Sequence, residues 1–152
     1  MRFTIIIALL FSLVVFTGCQ QDNPFGTVHL EGTVTFNGEP LADASVTLMP
    51  HNVELMTAGG MTDARGRFTV TTGGAPLGSG AQPGTYDVTF SKFIMEGGDL
   101  TQEEHQAMFG RGRASIIHLI PERFGNPRTS GIDPITVTTD RRQNVFTFEL
   151  TE

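Results

Sequence analysis

Residues 28–50 read VHLEGTVTFNGEPLADASVTLMP and decide the fold. Apolar side chains alternate with polar ones through Val28, Leu30, Val34 and Phe36, and the alternation resumes after residue 44. This period of two predicts half-buried strands. Between them, Asn37-Gly38 predicts a turn, because this pair readily adopts positive φ. The stretch therefore predicts two strands that each bury one face.

The same pattern continues along the chain. Asp63 and Gly66 predict a tight hairpin turn, since the Asp side chain bonds back to the backbone and Gly takes positive φ. Turn signals recur every 8–12 residues or so, which is typical of a two-sheet β-sandwich. We therefore predict an all-β sandwich of about seven strands. The further predicted strands are Met56–Thr62, Arg67–Thr71, Tyr86–Phe90, Ile116–Ile120, Ile135–Thr139 and 146–150.

Residues 92–114 interrupt this rhythm. The run Thr101-Gln102-Glu103-Glu104 fits a capping box, in which the Thr and Glu side chains each bond the other's backbone amide. Gly110 suits a helix stop. We predict a short helical insertion at Gln102–Phe109 that packs Ala107, Met108 and Phe109 partly on the sandwich.

The first eighteen residues form a hydrophobic leader. Arg2 is followed by an apolar or small stretch from Phe3 to Phe16. As a helix this stretch is about 21 Å long, while a bilayer core needs about 30 Å. The leader is therefore predicted to be a signal peptide, with a signal helix, rather than a membrane span.

Cys19, the chain's one cysteine, comes directly after this leader in the run Phe16-Thr17-Gly18-Cys19. The run resembles the lipobox of bacterial lipoproteins. That resemblance implies removal of residues 1–18, lipidation of Cys19, and anchoring in a membrane without spanning it. Gln20 after the cysteine hints at outer-membrane sorting, with the domain on the periplasmic or surface face. Residues 19–26 are expected to be a short lipidated tether.

The amino-acid composition limits the kinds of partner that this protein is expected to bind. Without residues 1–18, nine basic and sixteen acidic residues remain, a formal charge of −7 with His neutral. An acidic protein is not expected to bind nucleic acid or to dock on anionic lipid by charge. With Cys19 lipidated, no thiol remains for disulfides or cysteine metal sites.

Sequence blocks spread over most of residues 28–150 resemble small bacterial lipoproteins that carry a carboxypeptidase-regulatory-like, or transthyretin-like, domain. The resemblance implies a Greek-key sandwich (Ig-like or prealbumin-like) at residues 27–152, with 92–114 as an insertion, acting as a structural or interaction module. A hydrolase of the transthyretin-like fold ends in Tyr-Arg-Gly-Ser, a tail that this chain lacks. The blocks are Gly32–Leu41, Ala44–Pro50, Thr62–Phe68, Pro83–Val88, Ile120–Phe124, Thr129–Gly131 and Asn144–Leu150.

Catalytic and metal chemistry have weak support. The histidines, His29, His51, His105 and His118, lack metal-ligand spacing and are expected at the surface. Carboxylates can pair for acid–base work, but Asp63 is better explained as a turn residue, Glu104 as a cap and Asp87 as a solvent-facing strand position. We predict no enzyme activity and no cofactor. The other carboxylates considered are Glu103 and Glu122.

Interaction is the favoured role. Six arginines of the C-terminal half are candidates for a patch that binds an anionic envelope polymer or lipid headgroup, with Arg111 and Arg113 as its main candidates. The other four are Arg123, Arg128, Arg141 and Arg142. An apolar pocket formed by Phe93, Met95, Met108 and Phe109 would favour a small-ligand or carbohydrate-binding protein, whereas a flat exposed patch there would favour a protein partner. The sequence thus predicts a membrane-anchored structural or protein-interaction module of the cell envelope, with ligand binding as the alternative.

Overall fold

The computed structural model describes residues 23–95 and 116–152. In these two ranges the chain forms eleven short strands and two 3-10 helices. The strands are β1 (Glu31–Phe36), β2 (Glu39–Pro40), β3 (Ser45–Pro50), β4 (Ala58–Met61), β5 (Arg67–Thr69), β6 (Thr71–Thr72), β7 (Gly84–Ser91), β8 (Phe93–Met95), β9 (Ile116–His118), β10 (Ile135–Val137) and β11 (Val145–Leu150). The 3-10 helices are Glu122–Gly125 and Arg141–Gln143.

The strands are arranged in two main sheets. In the first, β1 pairs in parallel with β11 on one edge and antiparallel with β2 and β5 on the other. The second has the order β10-β7-β3-β4-β6, and all its pairings are antiparallel. Within it, β3, β4, β6 and β7 have the spatial order 4-1-2-3 of a Greek key, with β5, between β4 and β6 in the chain, paired to β1 in the first sheet. The predicted all-β Greek-key sandwich is confirmed.

An aromatic cluster joins the sheets. Phe90 from β7 meets Phe148 from β11 edge-on at 5.1 Å between ring centroids, and Phe68 from β5 lies 6.2 Å from each ring. All three side chains are buried. Gly32 occupies an inward position of β1 where the alternation would place an apolar side chain. There is no room for one, because a Cβ atom at this position would lie 2.6 Å from the Phe68 ring. The core is thus formed by the predicted inward faces.

Both predicted turns form, but the Asp63–Gly66 turn joins β4 and β5, which lie in different sheets, and is therefore not the hairpin turn that was predicted. Asn37 and Gly38 take φ values of 52° and 84°. In the second turn, Asp63 Oδ1 accepts hydrogen bonds from the backbone amides of Arg65 and Arg67 at 2.8 and 2.9 Å. Gly66 has φ of 71°. The backbone and side-chain hydrogen bonds from Arg67 lower the pKa of Asp63.

Two strands are shorter than predicted because a backbone amide at the end of each one bonds to a side-chain oxygen rather than to a neighbouring strand. Strand β4 begins at Ala58 rather than Met56, since the Met56 amide donates to Gln82 Oε1 at 2.9 Å. Strand β10 ends at Val137 rather than Thr139, since the Thr138 amide donates to Asn144 Oδ1 at 2.9 Å. These bonds link residues far apart in sequence or buried in the fold, and alternation alone does not reveal them.

Strands β8 and β9 form a separate two-stranded hairpin. The pairing of β7 with β3 ends at Ser91 opposite Ser45, the first residue of β3. Strand β8 therefore lies beyond the end of the five-stranded sheet. The predicted strand Ile116–Ile120 is found here, at Ile116–His118, rather than in the sandwich.

Several predictions fall outside the described residues, among them the signal helix at 1–18, the lipidation site Cys19, and the helix at Gln102–Phe109. They stay predictions. Within residues 23–95 and 116–152, no helix combines the length and the apolar character needed to cross a bilayer.

Candidate interaction surfaces

The β8–β9 hairpin presents apolar side chains on both faces. Ile94 lies opposite Ile117, and Phe93 lies opposite His118. Successive side chains of a strand point to opposite faces, while paired residues share one face. The isoleucine pair therefore occupies one face of the hairpin, and Phe93 with His118 occupies the other.

These apolar side chains are unusually exposed. Phe93 and Ile94 are 47% and 49% exposed, and Ile116 is 52% exposed. Ile117 and Leu119 have similar values, at 43% and 42%. Single exposed apolar residues are ordinary, but a contiguous group of them marks an interaction surface. The hairpin is the candidate surface of this kind.

The base of the hairpin is fixed to the domain. The Leu119 amide donates to the Lys92 carbonyl at 2.8 Å, which extends the pairing one step below β9. Just after it, Ile120 and Phe124 are both 3% exposed and belong to the core. The Arg123 guanidinium lies 4.7 Å from the centroid of the Phe124 ring. The hairpin is therefore held at its base by buried side chains.

Of the predicted interaction residues, Phe93 lies on the hairpin, where its ring centroid is 6.3 Å from that of His118. The remaining four, Met108, Phe109, Arg111 and Arg113, lie outside the described residues. The apolar pocket and the basic patch that include them stay predictions. Of the other patch residues, Arg123 lies against the Phe124 ring, and Arg141 and Arg142 lie in the second 3-10 helix.

Sequence reasoning missed the other apolar residues of the hairpin. Ile94, Ile116, Ile117 and Leu119 were not singled out, because Ile116–Ile120 was assigned to the sandwich. A signal was present: Ile116 and Ile117 are consecutive, so an extended strand must send one to each face. A sandwich strand with one solvated face does not need both.

The described histidines each face one carboxylate. His51 Nε2 lies 2.8 Å from Asp87 Oδ1, and His118 Nε2 lies 3.1 Å from Glu122 Oε1. The third pair, His29 with Glu31, is looser at 3.7 Å. No three such groups converge into a possible metal site in the two described ranges.

The carboxylates occupy the positions expected of them where the structure describes them. Asp63 is the turn residue. Asp87 is on the outward face of β7, with its side chain 33% exposed and paired with His51. Glu103 and Glu104, the predicted cap, lie outside the described residues.

Two open cavities lie away from the hairpin. One, of about 580 Å³, lies against β1 and β5 and includes Glu31, Thr33 and Arg67. The other, of about 520 Å³, lies between residues 23–27 and 76–79. Phe93 lines neither of them.

Comparison with known proteins leaves the family open. No protein-family model matches the chain, and no curated protein does. Among solved structures, a 9R-lipoxygenase from Cyanothece aligns with 98% of this chain at 14% identity and a TM-score of 0.38. The chain spans 20% of that lipoxygenase. A likeness this weak carries no argument about fold or function.

Proposed function

We propose that this protein is a membrane-anchored, non-enzymatic lipoprotein that acts as a protein-interaction module of the cell envelope. The observation that supports the interaction role is the β8–β9 hairpin, with its exposed apolar side chains on both faces. The anchor is proposed from Cys19 and the leader that precedes it.

An isolated two-stranded hairpin is marginally stable in water, and further strands or packed elements stabilise it. In the described ranges, β8 and β9 pair only with each other, so each has an open edge. A partner strand added to such an edge supplies main-chain hydrogen bonds and covers apolar side chains. We therefore propose a partner protein of the envelope that contributes an extended segment.

The alternative is a small-ligand or carbohydrate-binding protein that uses loops near residues 92–114. A pocket with Phe93 in its wall would favour it. Phe93 is about half exposed, and two of the residues predicted to form that pocket with it, Met108 and Phe109, lie outside the described residues.

Photo-crosslinking in intact membranes tests the interaction. A photoreactive residue at Ile117 is expected to give one discrete adduct, which disappears when Ile94→Asp is added. The matched control is a photoreactive residue at Thr136, an exposed position of β10 on the sandwich. Equal adducts at both positions, or an adduct that ignores Ile94→Asp, would contradict the proposal.

Membrane fractionation with metabolic acyl labelling tests the anchor. Wild type is expected in the membrane fraction with the acyl label, and Cys19→Ser in the soluble fraction without it. Two or more acyl chains give stable anchoring, so the expected change is nearly complete. Unchanged membrane association of Cys19→Ser would overturn the anchor.

A further inference from the structure

A second group of exposed apolar residues lies at the end of the sandwich where the described chain begins. Val53 is 97% exposed and Leu77 is 96% exposed, while Met56 is 42% exposed. They belong to the loops at 51–57 and 73–83. We call these two loops, together with residues 23–27, the tether end.

One glutamine joins these three segments. Gln82 Oε1 accepts from the Met56 amide at 2.9 Å, and Gln82 Nε2 donates to the Phe25 carbonyl at 3.1 Å. The Gly73 amide also donates to the Thr57 carbonyl at 3.2 Å. The segments therefore form one braced surface rather than three independent loops.

The two most exposed side chains stand on locally fixed turns. The Gly78 amide, next to Leu77, donates to Thr71 Oγ1 at 2.9 Å. The Glu54 amide, next to Val53, donates to Asn52 Oδ1 at 3.0 Å. Each bond constrains the backbone beside a side chain that is almost wholly exposed to solvent.

The short segment between Cys19 and Asn23 limits how far this surface can lie from a membrane that holds Cys19. Three residues, 20–22, separate Cys19 from Asn23. Even fully extended, four residue steps span about 14 Å at roughly 3.5 Å each. A lipid on Cys19 thus keeps Asn23 within this distance of the bilayer surface, and Leu77 lines the same cavity as Asn23.

We propose that the tether end is a membrane-contacting surface, at which Leu77 and Val53 enter the interfacial layer of the bilayer. This inference rests on the proposed lipidation of Cys19. Within the segments that define the tether end, Glu54 is the one acidic residue and there is no Lys or Arg. Apolar contact, rather than attraction to anionic lipid, is therefore the interaction it offers, and neutral phosphatidylcholine is a sufficient membrane.

The proposal also orients the molecule. Strands β3 and β7 run from the tether end, where Pro50 pairs with Tyr86, to the opposite end, where Ser45 pairs with Ser91. The β8–β9 hairpin follows Ser91. Contact at Leu77 and Val53 therefore directs the hairpin away from the membrane, where a partner protein can reach it.

A fluorescent label tests the contact in the lipidated protein on phosphatidylcholine vesicles. Cys19 is the one cysteine of the chain and its sulfur bears the lipid, so Leu77→Cys provides a single reactive thiol. An environment-sensitive fluorophore there is expected to brighten several-fold, to shift to shorter wavelength, and to be quenched by spin-labelled lipid. Val53→Cys is expected to behave in the same way.

The matched control is Ala64→Cys, an exposed position in the Asp63–Gly66 turn beside the start of β3. Its label is expected to keep the emission it shows in water. Water-like emission from both Leu77→Cys and Val53→Cys on protein that co-sediments with the vesicles would overturn the contact alone. Failure of the acylated wild type to co-sediment would instead overturn the proposed anchor.

Discussion

The two ends of the sandwich both expose apolar side chains, but different interactions support them. At the tether end, Val53 and Leu77 project singly from loops that Gln82 braces through side-chain hydrogen bonds. At the opposite end, Ile94 and Ile117 face each other across a ribbon held by backbone pairing. The described end of that ribbon extends past the sheet rather than packing on it.

This difference is the reason for proposing different partners at the two ends. A bilayer has no strand edge to offer and accommodates separate apolar side chains, which suits Val53 and Leu77. A protein segment supplies both apolar contact and main-chain hydrogen bonds, which suits β8 and β9, each with one edge that no described strand pairs with. Two surfaces with similarly exposed apolar side chains can therefore differ in function. The type of binding partner also depends on whether the backbone beneath those side chains is a loop or a strand with an unpaired edge.

If the two ends belong to one domain, they share one core and unfold together. Phe90→Ala is the substitution expected to affect that core most strongly. Phe90 contacts both other phenylalanines of the central cluster. Its loss is expected to lower the free energy of unfolding by about 3–5 kcal/mol, through lost burial and a cavity. Urea denaturation measures the loss, with the exposed Val145→Ala as control. Separate transitions for the two ends would contradict a single core.

Gln82→Ala is expected to affect one end only. It removes the acceptor of the Met56 amide and the donor to the Phe25 carbonyl. We expect a loss of about 1 kcal/mol and faster hydrogen exchange at the Met56 amide, with no change at the Leu119 amide at the base of the hairpin. The exposed Gln143→Ala serves as control. Faster exchange at Leu119 would show that the ends are coupled.

Asp63→Asn tests, at the end opposite the tether, how the charge of one turn residue makes thermal stability depend on pH. Hydrogen bonds from Arg67 hold the pKa of Asp63 below its ordinary 3.8, so the folded state favours the carboxylate. Its contribution to stability is therefore complete above that ordinary value and is lost as pH falls through the lowered pKa. Wild type is expected to exceed Asp63→Asn in thermal midpoint at pH 7, and the gap to close in acid. A gap independent of pH would contradict a role for the charge.

Ile117→Thr is expected to have the smallest effect on stability. The side chain is 43% exposed, and threonine retains strand propensity. The free energy of unfolding should change by less than about 0.5 kcal/mol. Crosslinking from a photoreactive residue at Ile94, which shares a face with Ile117, should nevertheless fall several-fold. A large loss of stability would place Ile117 among the structural residues instead of the interaction surface.

Much of the strand content was predictable because it depends on local properties. Alternation located β1, β3, β7 and β11, and positive-φ residues located both tight turns. The hairpin was misplaced, since alternation identifies a strand but not the sheet it joins. Its apolar surface was missed for the same reason: exposure depends on whether anything packs above the strand.

The sequence by itself determined the position and the apolar face of β1, β3, β7 and β11, and where Asn37-Gly38 and Asp63–Gly66 turn the chain, because these follow from period and backbone preference. Only the tertiary structure decided that β11 lies parallel to β1, with Val145 beside Glu31. It also placed Val53 and Leu77 beside the start of the described chain and the β8–β9 hairpin at the other end. These are contacts between residues distant in sequence, which packing of the whole core selects and no local pattern encodes.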